Sequence, residues 1–188
     1  MPVAKRWTSA GSGCEPALRW LVDGYNLIRR EPDLRTAEGR GLVEGRRALL
    51  ALVAMAARRT GDPFTVVFDG APGPALAPSG GQVQVVFSRP PETADDVLIR
   101  LAHRYHEGAI VVSSDRTVQD AARRTGASVL EVDEFVGALR EGGGGEPDPG
   151  DSEPADLDER RAGKRGNPRR LSKDARTKLR ALRRLRGR

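Results

Sequence analysis

Five short apolar runs set the limits on what this chain can fold into. Residues 17–22, 64–68, 83–87, 109–112 and 128–132 are each four to six residues long and rich in Val, Ile, Leu or Phe. Most read as continuous apolar stretches rather than alternating ones, the mark of strands covered on both faces. Between them the period changes. In residues 40–59, Leu42, Val43, Arg46, Leu49, Leu50, Val53 and Ala57 recur at helical spacing, and Gly61-Asp62-Pro63 ends that pattern. Residues 93–107 give a second helix with Thr93 as N-cap and Val97, Leu98, Leu101, Ala102 and Tyr105 as its apolar stripe. Residues 118–124 and 133–140 give two more. Strands alternating with helices predict an α/β fold: a mostly parallel central sheet flanked by helices on both faces. Residues 70–81 read as a Gly/Pro loop, and no internal repeat is evident.

Charge divides the chain into unequal parts. Its 188 residues suffice for one domain of about 100–150 residues plus extensions. The formal net charge of +6 is not evenly spread. Residues 161–188 carry 13 basic residues and one acid, residues 146–160 seven acids and one base, and residues 1–145 carry 18 of each sign. The reading is therefore a flexible leader over 1–16, a folded domain over 17–141, a Gly/Pro/acidic linker over 142–168 and a basic helical tail over 169–188. In the tail, Leu171, Ala175, Leu179, Leu182 and Leu185 form a thin apolar stripe on a helix that starts near Ser172 and Asp174. There is no transmembrane run and no secretory pattern after Lys5 and Arg6, and the single cysteine, Cys14, excludes an internal disulfide framework. A soluble cytoplasmic protein without a membrane partner is expected; its oligomeric state is not readable.

The carboxylates fall in a pattern. In open parallel sheets, ligands bind beyond the carboxyl ends of the strands. The first strand leads into Asp23, the second into Asp69, the strand at 109–112 into Asp115, and the one at 83–87 into a helix that opens with Asp95 and Asp96. One such Asp commonly caps a turn. Four elements delivering carboxylates to one sheet edge form a cluster that repels itself unless protons or a cation neutralise it, and Mg²⁺ or Mn²⁺ takes such oxygen ligands. On its helix, Asp95 shares a face with Ile99 and Ala102 and turns inward. Asp96 continues into Arg100, His103 and Glu107, a solvated face, with Asp96–Arg100 as an i,i+4 pair. His103 and His106 lack a matching cluster and read as helix surface, and Ser113 and Ser114 as turn residues.

Val22-Asp23-Gly24-Tyr25-Asn26, Val66-Val67-Phe68-Asp69-Gly70, Val85-Val86-Phe87-Ser88, Thr93-Ala94-Asp95-Asp96 and Ser113-Ser114-Asp115 resemble, in order and spacing, the NYN domain of the YacP-like family. The resemblance covers residues 18–140. It implies a PIN-like α/β fold and a metal-dependent endoribonuclease, with a bacterial member acting on mRNA at the ribosome. It also implies that Asp23, Asp95 and Asp115 form the metal-binding core, with Asp69 at the rim or as an outer carboxylate; the helix pattern adds Asp96 as a supporting metal-site charge, and one or two Mg²⁺ or Mn²⁺ ions are expected. Asn26 matches the motif's amide and is implied to orient a carboxylate or a phosphate-bound water. Arg46 resembles the family's helical arginine, which implies a phosphate contact.

The expected chemistry is metal-assisted phosphodiester hydrolysis. A neutral body with an acidic pocket needs help to hold RNA. Arg116 and the tail cations Lys164, Arg165, Arg169, Arg170, Lys173, Arg176, Lys178, Arg180, Arg183 and Arg184 are the candidate phosphate contacts, giving salt-sensitive affinity. The alternatives for the tail are a solvated extension or a membrane-surface helix. The alternative for the whole protein is a noncatalytic RNA- or ribosome-binding module. A phosphoaspartyl phosphatase would need Asp-x-Asp after the first strand, where Tyr25 stands instead.

Overall fold

The computed structural model describes residues 17–71, 81–142 and 172–187. The expectations for the leader with Cys14, the middle of the Gly/Pro loop, most of the linker, and Leu171, Lys164, Arg165, Arg169 and Arg170 lie outside the described residues. The elements are β1 (Arg19–Asp23), α1 (Gly24–Arg30), α2 (Pro32–Glu38), α3 (Leu42–Thr60), β2 (Phe64–Phe68), β3 (Val83–Phe87), α4 (Ala94–Tyr105), β4 (Ala109–Val112), α5 (Arg116–Arg124), β5 (Ser128–Leu130), α6 (Val132–Glu141) and α7 (Lys173–Arg186). The five strands form one sheet in the order β3-β2-β1-β4-β5, and every pairing is parallel.

Strand alternation sorts side chains onto two faces. Trp20, Val22, Phe64, Val66, Phe68, Ile110, Val112 and Leu130 pack with Leu27 and Leu34, Leu49 and Val53 of α3, Phe135 and Leu139 of α6, and Ala181 and Leu185 of α7. Leu21, Val67, Val111 and Val129 pack on the other side against Val97, Leu98 and Ala102 of α4 and Val118 and Ala122 of α5. Trp20 stacks on Phe64 at 5.2 Å between ring centres and meets Phe135 at 5.8 Å. Because all strands are parallel, their carboxyl ends share one edge of the sheet, and the loops there build the site.

Three features differ from the sequence reading. Residues 24–38, which carry no clear period, form two short helices: Asp23 caps the first by accepting from Asn26 N at 3.1 Å, and Pro32 opens the second. Arg100 pairs with Glu92 at 2.7 Å, not with Asp96. The basic terminal helix is docked on the domain rather than held out as an arm. Its buried positions are Ala181 and Leu185, whereas Leu179 of the expected stripe is 40% exposed. Its ion pairs reach Glu107, just before β4, at Lys173, and Asp62, just before β2, at Arg184. Lys178 reaches Glu134 in the first turn of α6 and Arg186 reaches Glu141 at its end, so α7 packs along α6. Among the described residues no helix is long and apolar enough to cross a membrane.

Candidate active site

Asp23, Asp69, Asp95 and Asp115, delivered by four separate elements, line one cleft of about 520 Å³ at the C-terminal edge of the sheet. Tyr25, Asn26, Arg29, Arg30, Thr93, Ala94 and Ser114 complete its walls. The cleft sits where the chain leaves β1 on one face of the sheet and β4 on the other, the switch point at which open α/β sheets bind ligands.

Local capping chemistry places two of the carboxylates. Asp23 ends β1 and caps α1, and it is only 7% exposed. Its other oxygen, Oδ2, accepts from Ser113 Oγ at 3.2 Å. Ser113 Oγ in turn accepts from Asp115 N at 3.1 Å, so one buried hydroxyl joins the ends of β1 and β4. Asp115 caps α5, accepting at Oδ1 from Thr117 N at 2.7 Å and Val118 N at 3.3 Å. Asn26 Oδ1 accepts from Ser114 N at 3.2 Å, tying α1 to the same turn. Gln119 Nε2 donates to Ser113 O at 2.8 Å and to Glu131 Oε1 at 2.6 Å, which fixes the turn from behind. Gly24 is required here: a Cβ on it would lie 2.4 Å from Phe68 Cε1 and 2.9 Å from Val67 O.

The electrostatics are those of an uncompensated cluster. Among the described residues none of the four carboxylates joins an ion pair. Burial pushes the Asp23 carboxyl above its ordinary value, against the pull of its hydrogen bonds from Asn26 N and Ser113, and the charges of Asp95 and Asp115 raise it further. Asp95 is raised too, by burial first and then by Asp115, Asp96 and Asp69. Asp69 stands exposed at the rim, where its Oδ1 accepts from Ser88 Oγ. Asp96 is outside the cleft. Its Oδ2 accepts from Thr93 N at 2.9 Å and Thr93 Oγ1 at 2.8 Å, a capping box that lowers its pKa and leaves it a nearby charge on Asp95.

Among the described residues no three His, Cys, Asp or Glu side chains close into a ready metal cage. The oxygen donors nevertheless suit a hard cation of the Mg²⁺ type, which keeps several waters and takes one or two carboxylates alongside substrate phosphate. Asp23, Asp95 and Asp115 are the residues that would hold it, with Asp69 in reach at the rim.

Other predicted positions fall elsewhere. Arg46 is buried rather than on the helix surface: it is 4% exposed, it does not line the cleft, and its Nε and Nη2 both donate to the Tyr25 hydroxyl. Arg116 is exposed next to Asp115 but does not line the cleft. On α7, Lys173, Lys178 and Arg184 are held by Glu107, Glu134 and Asp62, while Arg176 and Arg183 are exposed. None of them lines the cleft.

Sequence reasoning missed Tyr25, Arg29 and Arg30 as cleft residues and read Ser114, which also lines the cleft, as a turn residue. The first three share a face of α1 with Asn26 at i,i+3 and i,i+4 spacing, a signal that becomes visible once Asp23 is read as a helix cap. Among the described residues Ser114 Oγ, buried, has no hydrogen-bond partner.

The model of the YacP-like NYN domain matches residues 20–184, so the match includes most of α7, beyond the residue near 140 where the sequence resemblance stops. The uncharacterised protein YacP of Bacillus subtilis is 34% identical over 112 residues, 57% of this chain and 66% of that protein, so the match spans just under two thirds of that relative's length. The crystal structure of Rae1 (YacP) from Bacillus subtilis superposes with a TM-score of 0.55 at 32% identity, covering 62% of this chain and 70% of that one. A mutant form of the same protein gives a TM-score of 0.52 at 28% identity, covering 66% of this chain and 82% of that one.

Proposed function

This chain belongs to the YacP-like NYN domain family and has its PIN-like, nuclease-type fold, and from that premise we propose that it is a metal-dependent endoribonuclease. It hydrolyses RNA phosphodiester bonds, with mRNA on the ribosome as its substrate and the cytoplasm as its setting. One observation carries this reading. Four carboxylates from four separate elements line a single open cleft, and among the described residues no cation pairs with them. A purely structural set of caps would not need to share one cavity, nor bear the cost of mutual repulsion.

Bound Mg²⁺ or Mn²⁺, as one or two ions, would supply an activated water and offset charge on the phosphate oxygens. The chain's own residues prepare the site for this. Ser113 and the α1 backbone hold Asp23 by one hydrogen bond on each oxygen, which fixes its carboxylate plane while leaving lone pairs on both oxygens. Asp95 supplies a half-buried charge from the opposite face of the sheet. Asn26 ties α1 to the Ser114 turn, which links the segments that carry Asp23 and Asp115. Arg29 and Arg30 give the cleft a cationic rim that attracts an RNA backbone toward an otherwise repulsive pocket.

The test is incubation with labelled RNA, with and without ribosomes, in Mn²⁺ or in EDTA, beside Asp95→Asn. Cleavage by the wild type in Mn²⁺ alone is expected. Equal cleavage by the variant or in EDTA would sink the mechanism, and RNA binding without any cleavage would leave a binding module.

A further inference from the structure

Arg46 is a buried cation with an unusual partner. Its guanidinium carbon lies 5.4 Å from the Tyr25 ring centre, 5.4 Å from that of Phe68 and 5.1 Å from that of Phe87. Its hydrogen bonds converge on one atom, the Tyr25 hydroxyl, from Nε at 3.0 Å and from Nη2. Among the described residues no carboxylate pairs with it. Aromatic faces offset part of the cost of burying a guanidinium, and the excess positive charge remains. A phenol oxygen that accepts from two guanidinium N–H groups has its own O–H left to donate. Tyr25 also lines the acidic cleft, beside Asp23 and Asn26 and with the Arg29 guanidinium 6.0 Å from its ring centre.

We propose that the Tyr25 hydroxyl donates a hydrogen bond to a non-bridging oxygen of the RNA phosphodiester in the cleft, and that Arg46 is the buried charge that orients it. This rests on the reading of the cleft as a phosphodiester site and names a residue that recognises the anion there. The arrangement answers a specific difficulty. Four carboxylates repel a phosphate, and while Arg29 and Arg30 draw the backbone to the rim, a cation placed among the carboxylates themselves would pair with them and cancel the charge a metal needs. A neutral O–H with a guanidinium behind its oxygen attracts the phosphate without offering the carboxylates an ion pair. Arg46 acts through Tyr25 and is a positioning residue, while Tyr25 touches the substrate.

The experiment uses the full chain with its tyrosines replaced by 3-fluorotyrosine. There are two, Tyr25 and Tyr105, and Tyr105 ends α4 against Arg19 and Arg104, away from the cleft. Titration with a short single-stranded oligoribonucleotide in EDTA should shift the Tyr25 fluorine resonance and leave that of Tyr105 in place. Tyr25→Phe, which keeps the ring on Phe68 and removes only the hydroxyl, should weaken RNA binding and lower kcat/KM in Mn²⁺, each by about tenfold or more. A Tyr25 resonance that stays still at RNA saturation overturns the proposal, as does a folded Phe variant with wild-type affinity. If the Phe variant does not fold, the titration alone decides. If the wild type binds RNA but cleaves nothing, the nuclease reading fails while the titration still decides on Tyr25. No saturable RNA binding at all overturns both.

Discussion

Arg184 Nη2 lies 2.7 Å from Oδ1 of Asp62, a carboxylate with no solvent exposure, across 122 residues of sequence. Asp62 also accepts from Leu18 N at 3.0 Å and Trp20 Nε1 at 3.2 Å, so this one side chain joins the start of β1, the turn before β2 and the terminal helix. Arg184 Nη2 reaches Thr60 O at 2.8 Å as well, and Arg59 Nη1 donates back to Leu185 O at 2.8 Å. A basic helix that reads as an independent arm is thus part of the domain.

Removing Arg184 should therefore cost stability, not only charge. Removing Arg184 takes the ion-pair partner from a fully buried carboxylate and leaves it only the weaker field of Arg180 and its two N–H donors, at a cost of about 3 kcal/mol. Arg184→Met should lower the urea midpoint accordingly, and Asp62→Asn with Arg184→Met should cost less than the two single changes added together. Additive effects would show that the pair carries no coupling.

Asp95→Asn is expected to remove cleavage and yet raise the melting temperature in EDTA. Burial and three neighbouring carboxylates oppose its ionisation, so the neutral amide relieves repulsion in the folded state. Mn²⁺ should raise the wild-type melting temperature and move the variant much less. A variant less stable than the wild type in EDTA would contradict this account of the cluster.

The pH dependence follows with a definite sign. The folded pKa values of Asp23 and Asp95 lie above the ordinary value of 3.8, so their protonated forms favour the fold. Their contribution is complete below 3.8 and is lost as pH rises through the raised folded values. In EDTA the contribution of this pair should therefore shrink across the weakly acidic range, and Asp23→Asn with Asp95→Asn should flatten that part of the profile. Differential scanning fluorimetry over a pH series reads it directly.

Ser113→Ala should damage activity more than stability. Its hydroxyl links Asp23 Oδ2 to Asp115 N, and its loss costs about 1 kcal/mol of folding free energy. Losing that link frees two carboxylates to misalign, so kcat in Mn²⁺ should fall by about tenfold or more with KM little changed. An equal loss in KM and none in kcat would place Ser113 in substrate binding instead.

Deleting residues 146–160, with seven acids and one base, should tighten RNA binding at low salt by removing an internal competitor for the basic residues beyond it. The exposed Arg176 and Arg183 are the α7 cations best placed to gain. Arg176→Gln with Arg183→Gln should lower the salt slope of binding by about 0.7 for each phosphate no longer neutralised, read by fluorescence anisotropy. An affinity unchanged by the deletion would remove the competition.

Sequence alone determined what short-range physics determines. The strands at 64–68, 83–87 and 109–112, the stop at Gly61 and the Thr93 cap are each written in a few adjacent residues, and parallel order then forces their following carboxylates to one edge. The separation of Asp95 from Asp96 was equally local, a matter of helix period. The fate of Arg46 and of α7 was not. An arginine on an amphipathic helix reads the same whether water or three aromatic rings surround it, and those rings come from α1, β2 and β3. A thin apolar stripe among arginines likewise does not say what covers it. Which face of α7 is buried was decided by α3, β5 and α6, brought together only by the fold, and by a buried aspartate that needed a cation. Tertiary structure settles such cases because burial depends on surfaces assembled from distant segments, and no window along the chain contains them.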